Sequence, residues 1–109
     1  MSDVPARLTA SAIDATTLEL AGEIDAHTAP DLAARYAELP EGDGDFTIVM
    51  SQVDFMDSSG LRVVIELHQR AEAADRRLVL RDPSPAVARL IEVSGLEGHL
   101  HVADGTAAD

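Results

Sequence analysis

The chain has no cysteine and no tryptophan. The first absence removes a disulfide framework, a thiolate zinc site and a cysteine nucleophile together. It fits a cytoplasmic protein, which is the expected location. Lysine is missing too. All eight cations are arginines, set against 20 acidic residues for a formal net charge of -12. Such a field repels phosphate backbones and anionic headgroups, so neither direct nucleic-acid binding nor membrane association is expected. One tyrosine and two phenylalanines leave few platforms on which bases could stack. No apolar run approaches the roughly 20 residues that cross a bilayer. Met1-Ser2-Asp3-Val4-Pro5 has neither the charged nor the apolar segment of a signal peptide. Neither a P-loop nor a G-x-G-x-x-G motif occurs, and no cofactor is expected.

What remains is a globular composition over 109 residues, 46% hydrophobic and 26% charged. That length suits one small domain spanning residues 1–109, with a core over roughly 7–103 and frayed termini. Leu8 to Ile13 alternates weakly, Asp14-Ala15 reads as a turn, and Thr16 to Ala21 alternates cleanly, which predicts an antiparallel hairpin. Thr28-Ala29-Pro30-Asp31 has helix-start chemistry, with Thr28 as the cap and Asp31 at the positive end of the dipole. Ala29, Leu32, Ala33, Tyr36 and Leu39 recur at helical spacing until Pro40 and the Glu41–Asp45 run end the helix. Phe46 to Met50 is a short continuous apolar run, expected to be a strand buried on both faces. A second helix follows, with Leu61, Val64, Ile65 and His68 on one face. Arg77 to Arg81 is a further strand. A third helix starts at Ser84-Pro85, carries Val87, Leu90 and Ile91 inward, and ends at Gly95. His99 to Ala103 closes the chain as a strand. The order β-β-α-β-α-β-α-β predicts an α/β fold with a mostly parallel sheet and crossover helices.

The most informative segment is Asp54-Phe55-Met56-Asp57-Ser58-Ser59-Gly60-Leu61. Two hydroxyls stand between a carboxylate and a glycine where a strand gives way to a helix. Asp57 or Ser58 can cap that helix. The same position is where α/β proteins display their sites. Its serine could attack a substrate or accept a phosphoryl group. The nucleophile elbow G-x-S-x-G fails, because Met56 occupies the first glycine position, and no histidine is near in sequence. Asp54 and Asp57 have no sugar-binding aromatics around them, which disfavours a glycosidase. No metal site is expected. The acid-glycine run at Glu41–Asp45 lacks calcium-loop spacing. His99 and His101, two apart on the expected strand, share a face but lack a third ligand in sequence. His68 reads as a packed or half-exposed helix residue.

The D-S-S-G-L block resembles the phosphorylation motif of the STAS domain family, and most resembles the bacterial anti-sigma factor antagonists. Leu20-Ala21-Gly22-Glu23-Ile24-Asp25 with His27-Thr28-Ala29 is similar to the family's second strand and first helix start. Ser84 to Ile91 with Ser94-Gly95-Leu96 is similar to its third helix and exit. The similarity runs from about Leu18 to Val102, in order and at the expected separations. The resemblance implies a single STAS-like domain that is not an enzyme. In its unphosphorylated form such an antagonist binds an anti-sigma factor that is also a serine kinase, and so frees the sigma factor. The kinase then phosphorylates the serine after the motif aspartate, here Ser58, and a separate serine phosphatase reverses the step. Partner contacts implied by the motif are Asp57, Ser58, Ser59 and Gly60, joined by Asp25 and, more weakly, Glu23 and Thr28. The free chain is expected to be a monomer. The alternative is a STAS module acting as a stress-signalling scaffold, or as a soluble subunit of a lipid or anion transport system.

Overall fold

A computed structural model describes residues 8–36, 42 and 44–103. Among these described residues eight elements follow one another: β1 (Leu8–Asp14), β2 (Thr17–Ile24), α1 (Ala29–Arg35), β3 (Phe46–Met56), α2 (Ser58–Ala73), β4 (Leu78–Arg81), α3 (Pro85–Val93) and β5 (His101–Ala103). This is the α/β order expected from the hydrophobic pattern. The five strands lie in the sheet in sequence order. β1 is antiparallel to β2, and the other neighbours are parallel. Right-handed crossovers between strands laid down in sequence order place the connecting helices on one side of the sheet. A single buried cluster agrees: Leu18, Leu20, Ile24, Phe46, Ile48, Met50, Val53, Met56, Leu78 and Leu80 meet Leu32, Leu61, Val64, Leu67, Val87 and Ile91 of the helices.

β3 is longer than its apolar run. It continues through Ser51, Gln52 and Asp54 to Met56, because two register shifts against β2 absorb extra residues. Bulges of this kind bend a strand and let polar positions pass through the ladder. Gly22 flanks the second shift with φ of 113°, a backbone state that a side chain resists. The expected double burial of Phe46–Met50 has two origins. Phe46, Ile48 and Met50 face the helices, whereas buried Val49 lies outside that cluster, in register with Glu19 and Arg81.

Four expectations need correction. α1 stops at Arg35 with Tyr36 as its C-cap; Leu39, Pro40, Glu41 and Asp43 lie outside the described residues. Thr28 makes no capping hydrogen bond to the helix, because its hydroxyl is engaged with the Glu23 carbonyl and the Asp25 amide. On α2 the buried positions are Gly60, Leu61, Val63, Val64, Leu67 and Ala71, so Ile65 and His68 flank the core face instead of centring it. β5 begins at His101, because His99 and Leu100 both donate to the Leu96 carbonyl in a preceding turn; the two histidines therefore do not share a strand face.

The helix ends that were legible have the bonds expected of them. Ser84 accepts from the Val87 amide and also donates to the Val53 carbonyl at 2.6 Å, which ties α3 to β3. Past α3, the Gly95 amide reaches the Glu92 carbonyl and the Leu96 amide the Ile91 carbonyl, a Schellman closure. Buried Tyr36 stacks at 6.1 Å from Phe46. Burial pushes its hydroxyl pKa up to about 12, against a smaller opposing pull from Arg35. Among the described residues no helix is long and apolar enough to cross a membrane.

Candidate functional site

The C-terminal ends of β2 and β3 lie side by side, with Ile24 paired to Met56. The Asp57 amide donates to the Ile24 carbonyl at 3.1 Å. Both strands then break into helix starts, so the β2–α1 loop and the D-S-S-G turn share one end of the sheet.

Asp57 is the N-cap of α2. Its backbone is extended and its Oδ1 accepts from the Ser59 amide at 2.9 Å. Of the two capping candidates, Asp57 therefore takes the role, and Ser58 is released from it. Ser58 is the first helical residue and is exposed, whereas Ser59 is half-buried and Gly60 buried. The Ser58 hydroxyl makes no hydrogen bond with the described residues.

Gly60 explains why the motif holds a glycine. A Cβ there would sit 2.5 Å from Ile24 Cγ2 and 2.8 Å from Met56 Cγ. The first turn of α2 thus lies almost directly on the ends of β2 and β3, and a methyl has no room. Close packing at this point pins the helix start, and with it the position of Ser58.

On the neighbouring loop Asp25 organises the chain. Its Oδ1 accepts from the amides of His27 at 2.9 Å and Thr28 at 3.1 Å, and its carbonyl accepts from those of Thr28 and Ala29. Thr28 is buried. Its hydroxyl turns back to donate to the Glu23 carbonyl at 2.8 Å and accepts from the Asp25 amide at 3.0 Å. Asp25 thus satisfies the amides at the approach to α1, and Thr28 locks the loop from beneath. The cap expected of Thr28 is supplied instead by Asp25, three residues earlier, whose Asx turn provides the acceptor.

Between α1 and α2 a shallow groove of about 360 Å³ opens beside Ser58. It is walled by Ala29, Pro30 and Ala33 on one side and by Ser59, Arg62 and Val63 on the other. Two members of this neighbourhood are not singled out by the sequence pattern. Arg62 lies four residues after Ser58, and i, i+4 spacing places it on the serine's side. Phe55 is 47% exposed and pairs with Glu23 across the strands, an apolar side chain displayed beside Asp54 at the same end of the sheet. Among the described residues the groove's lining includes no histidine.

The chain belongs to the STAS domain family, whose model described as "Mlab, STAS domain" matches residues 8–102. Its relatives within that family include anti-sigma factor antagonists. The anti-sigma-B factor antagonist of Staphylococcus epidermidis is 28% identical over 93 residues, 84% of this chain and 86% of the relative. An anti-sigma factor antagonist from Mycobacterium paratuberculosis superposes with a TM-score of 0.66 at 27% identity, covering 88% of this chain and 85% of that one. The unphosphorylated form of the antagonist SpoIIAA matches with a TM-score of 0.64 at 25% identity, covering 88% and 87%.

Proposed function

We propose that this chain is an anti-sigma factor antagonist whose docking is switched by phosphorylation of Ser58. In the unphosphorylated state it binds an anti-sigma factor serine kinase through the end of the sheet formed by Glu23, Asp25, Asp57, Ser58 and Ser59. Thr28 and Gly60 are buried, so they shape this surface from below. Binding occupies the kinase and frees its sigma factor. The kinase supplies the ATP and the base for phosphoryl transfer, and a separate phosphatase restores the hydroxyl. The single observation that carries the reading is the exposed Ser58 hydroxyl at the mouth of α2, relieved of capping by Asp57.

The physics of the switch is electrostatic. A phosphoserine adds about −1.5 to −2 charge and three acceptor oxygens. The mouth of a 16-residue helix tolerates that charge, and Arg62 lies in the same groove. The fold therefore has no need to rearrange. The penalty falls on the complex, where a dianion occupies the place of a docked neutral hydroxyl. A charge desolvated without a partner costs several kcal/mol, enough to abolish a complex of ordinary affinity.

A pull-down from the native lysate with and without ATP tests this, with peptide mass mapping of the recovered chain. The expected result is capture of an anti-sigma kinase without ATP, and loss of capture with phosphate on Ser58 when ATP is present. Capture of a transport complex, or phosphate confined to other residues, overturns it.

A further inference from the structure

Away from the Ser58 site, α2 and β5 bring together three side chains that lie apart in sequence. His68 and Glu72 are one turn apart on α2, and His101 opens β5. His101 Nε2 is 3.3 Å from Glu72 Oε2, and His68 Nε2 is 4.0 Å from the same oxygen. The three ligand-capable atoms all lie within 4.8 Å of one another. The two imidazoles are 5.4 Å apart at a tilt of 54°. His68 is only 15% exposed, whereas His101 and Glu72 are 40% and 54% exposed. The cluster therefore has a buried floor and an open rim, beside a depression of about 670 Å³ that His99 and Gln69 also line. Of the two His68 nitrogens, Nε2 faces the Glu72 carboxylate, and Nδ1 is buried with no hydrogen-bond partner among the described residues.

We propose that His68, Glu72 and His101 form a zinc-class divalent metal site that staples the edge strand β5 to α2. Zinc bonds of about 2.0–2.2 Å in tetrahedral geometry set neighbouring ligand atoms about 3.3–3.5 Å apart. The His101–Glu72 pair already stands at that separation, and drawing in His68 takes a shift on the order of 1 Å. Two imidazoles with one carboxylate select zinc, nickel or copper over magnesium or calcium, which prefer all-oxygen shells. The fourth position faces solvent and takes a water. A net charge of -12 draws cations toward the surface. The staple is useful where it sits, because β5 has three residues and pairs on one side only. His68 lies ten residues along α2 from Ser58, about 15 Å on the helix axis, so this site stands apart from the phosphorylation switch.

The test is titration of the EDTA-stripped full chain with Co²⁺ near neutral pH, read by visible absorption, followed by displacement with Zn²⁺ and by thermal unfolding with and without Zn²⁺. One equivalent of four-coordinate Co²⁺ is expected, displaced stoichiometrically by Zn²⁺, and Zn²⁺ should raise the unfolding midpoint. Glu72→Gln and His101→Ala should each weaken binding by at least about tenfold and remove the midpoint shift, while His27→Ala changes neither. Circular dichroism confirms that each variant is folded. The absence of a saturable single equivalent, or binding that survives both Glu72→Gln and His101→Ala, overturns the proposal. Neither outcome bears on Ser58, since Ser58→Ala should leave the metal titration unchanged.

Discussion

Replacing Gly60 by alanine probes how the site is held in place. The added methyl would stand 2.5 Å from Ile24 Cγ2 and 2.8 Å from Met56 Cγ. Both neighbours are buried, Ile24 completely, so neither can swing into solvent to make way. Overpacking of this kind costs about 1–3 kcal/mol. Alanine's better helix propensity returns at most about 1 kcal/mol in a helix interior, and less in the first turn, where Gly60 sits. The expected net loss is about 1–2 kcal/mol, which at an m-value of about 1 kcal/mol/M lowers the urea midpoint by about 1–2 M. Combining Gly60→Ala with Ile24→Ala supplies the internal check. The truncation opens space for the methyl, so the double variant should lose less than the two single losses added, by about 0.5–3 kcal/mol. An unchanged or raised midpoint for Gly60→Ala, at unchanged m, would refute the close approach of α2 to the strand ends.

The rest of the motif divides by role. Asp57→Ala removes the bond to the Ser59 amide and should cost about 1 kcal/mol of stability in urea unfolding. Ser58→Ala touches an exposed side chain and should stay within about 0.5 kcal/mol of wild type in the same assay, while retaining partner binding. Stability should also fall with alkali. Tyr36 keeps its proton to about pH 12 in the fold, whereas the unfolded chain loses it near pH 10. The native state therefore binds more protons between those limits. Its contribution is complete below pH 10 and is lost as pH rises toward 12, by up to about 2–3 kcal/mol. Urea midpoints measured across that window check it, and Tyr36→Phe should flatten the slope.

The element order was legible because the period of hydrophobicity changes at each boundary. Leu18 and Leu20 alternate, Phe46–Met50 is continuous, and Val87, Leu90 and Ile91 recur at helical spacing. What escaped depends on bonds between distant residues. The extension of β3 to Met56 rests on bulges against β2, which no local pattern announces. The exchange of capping between Thr28 and Asp25 is a choice among nearby acceptors that only the fold of the loop decides. In the D-S-S-G turn the residue types were readable, but not their division of labour. That Asp57 caps, Ser58 is displayed and Gly60 admits Ile24 follows from how two strand ends meet. The histidines show the same limit. Strand periodicity paired His99 with His101, whereas the packing of β5 against α2 sets His101 beside His68 and Glu72.

In the proposed switch, one exposed hydroxyl at the mouth of α2 controls docking through charge. The most direct measurement is calorimetric titration of the proposed partner, an anti-sigma kinase from the same cell, with two preparations, one unmodified and one carrying a single phosphate on Ser58. Circular dichroism should give the same spectrum for both, and the phosphorylated chain should bind at least about a hundredfold more weakly, the equivalent of about 2.7 kcal/mol. Equal affinities, or weaker binding accompanied by a changed spectrum, would contradict it.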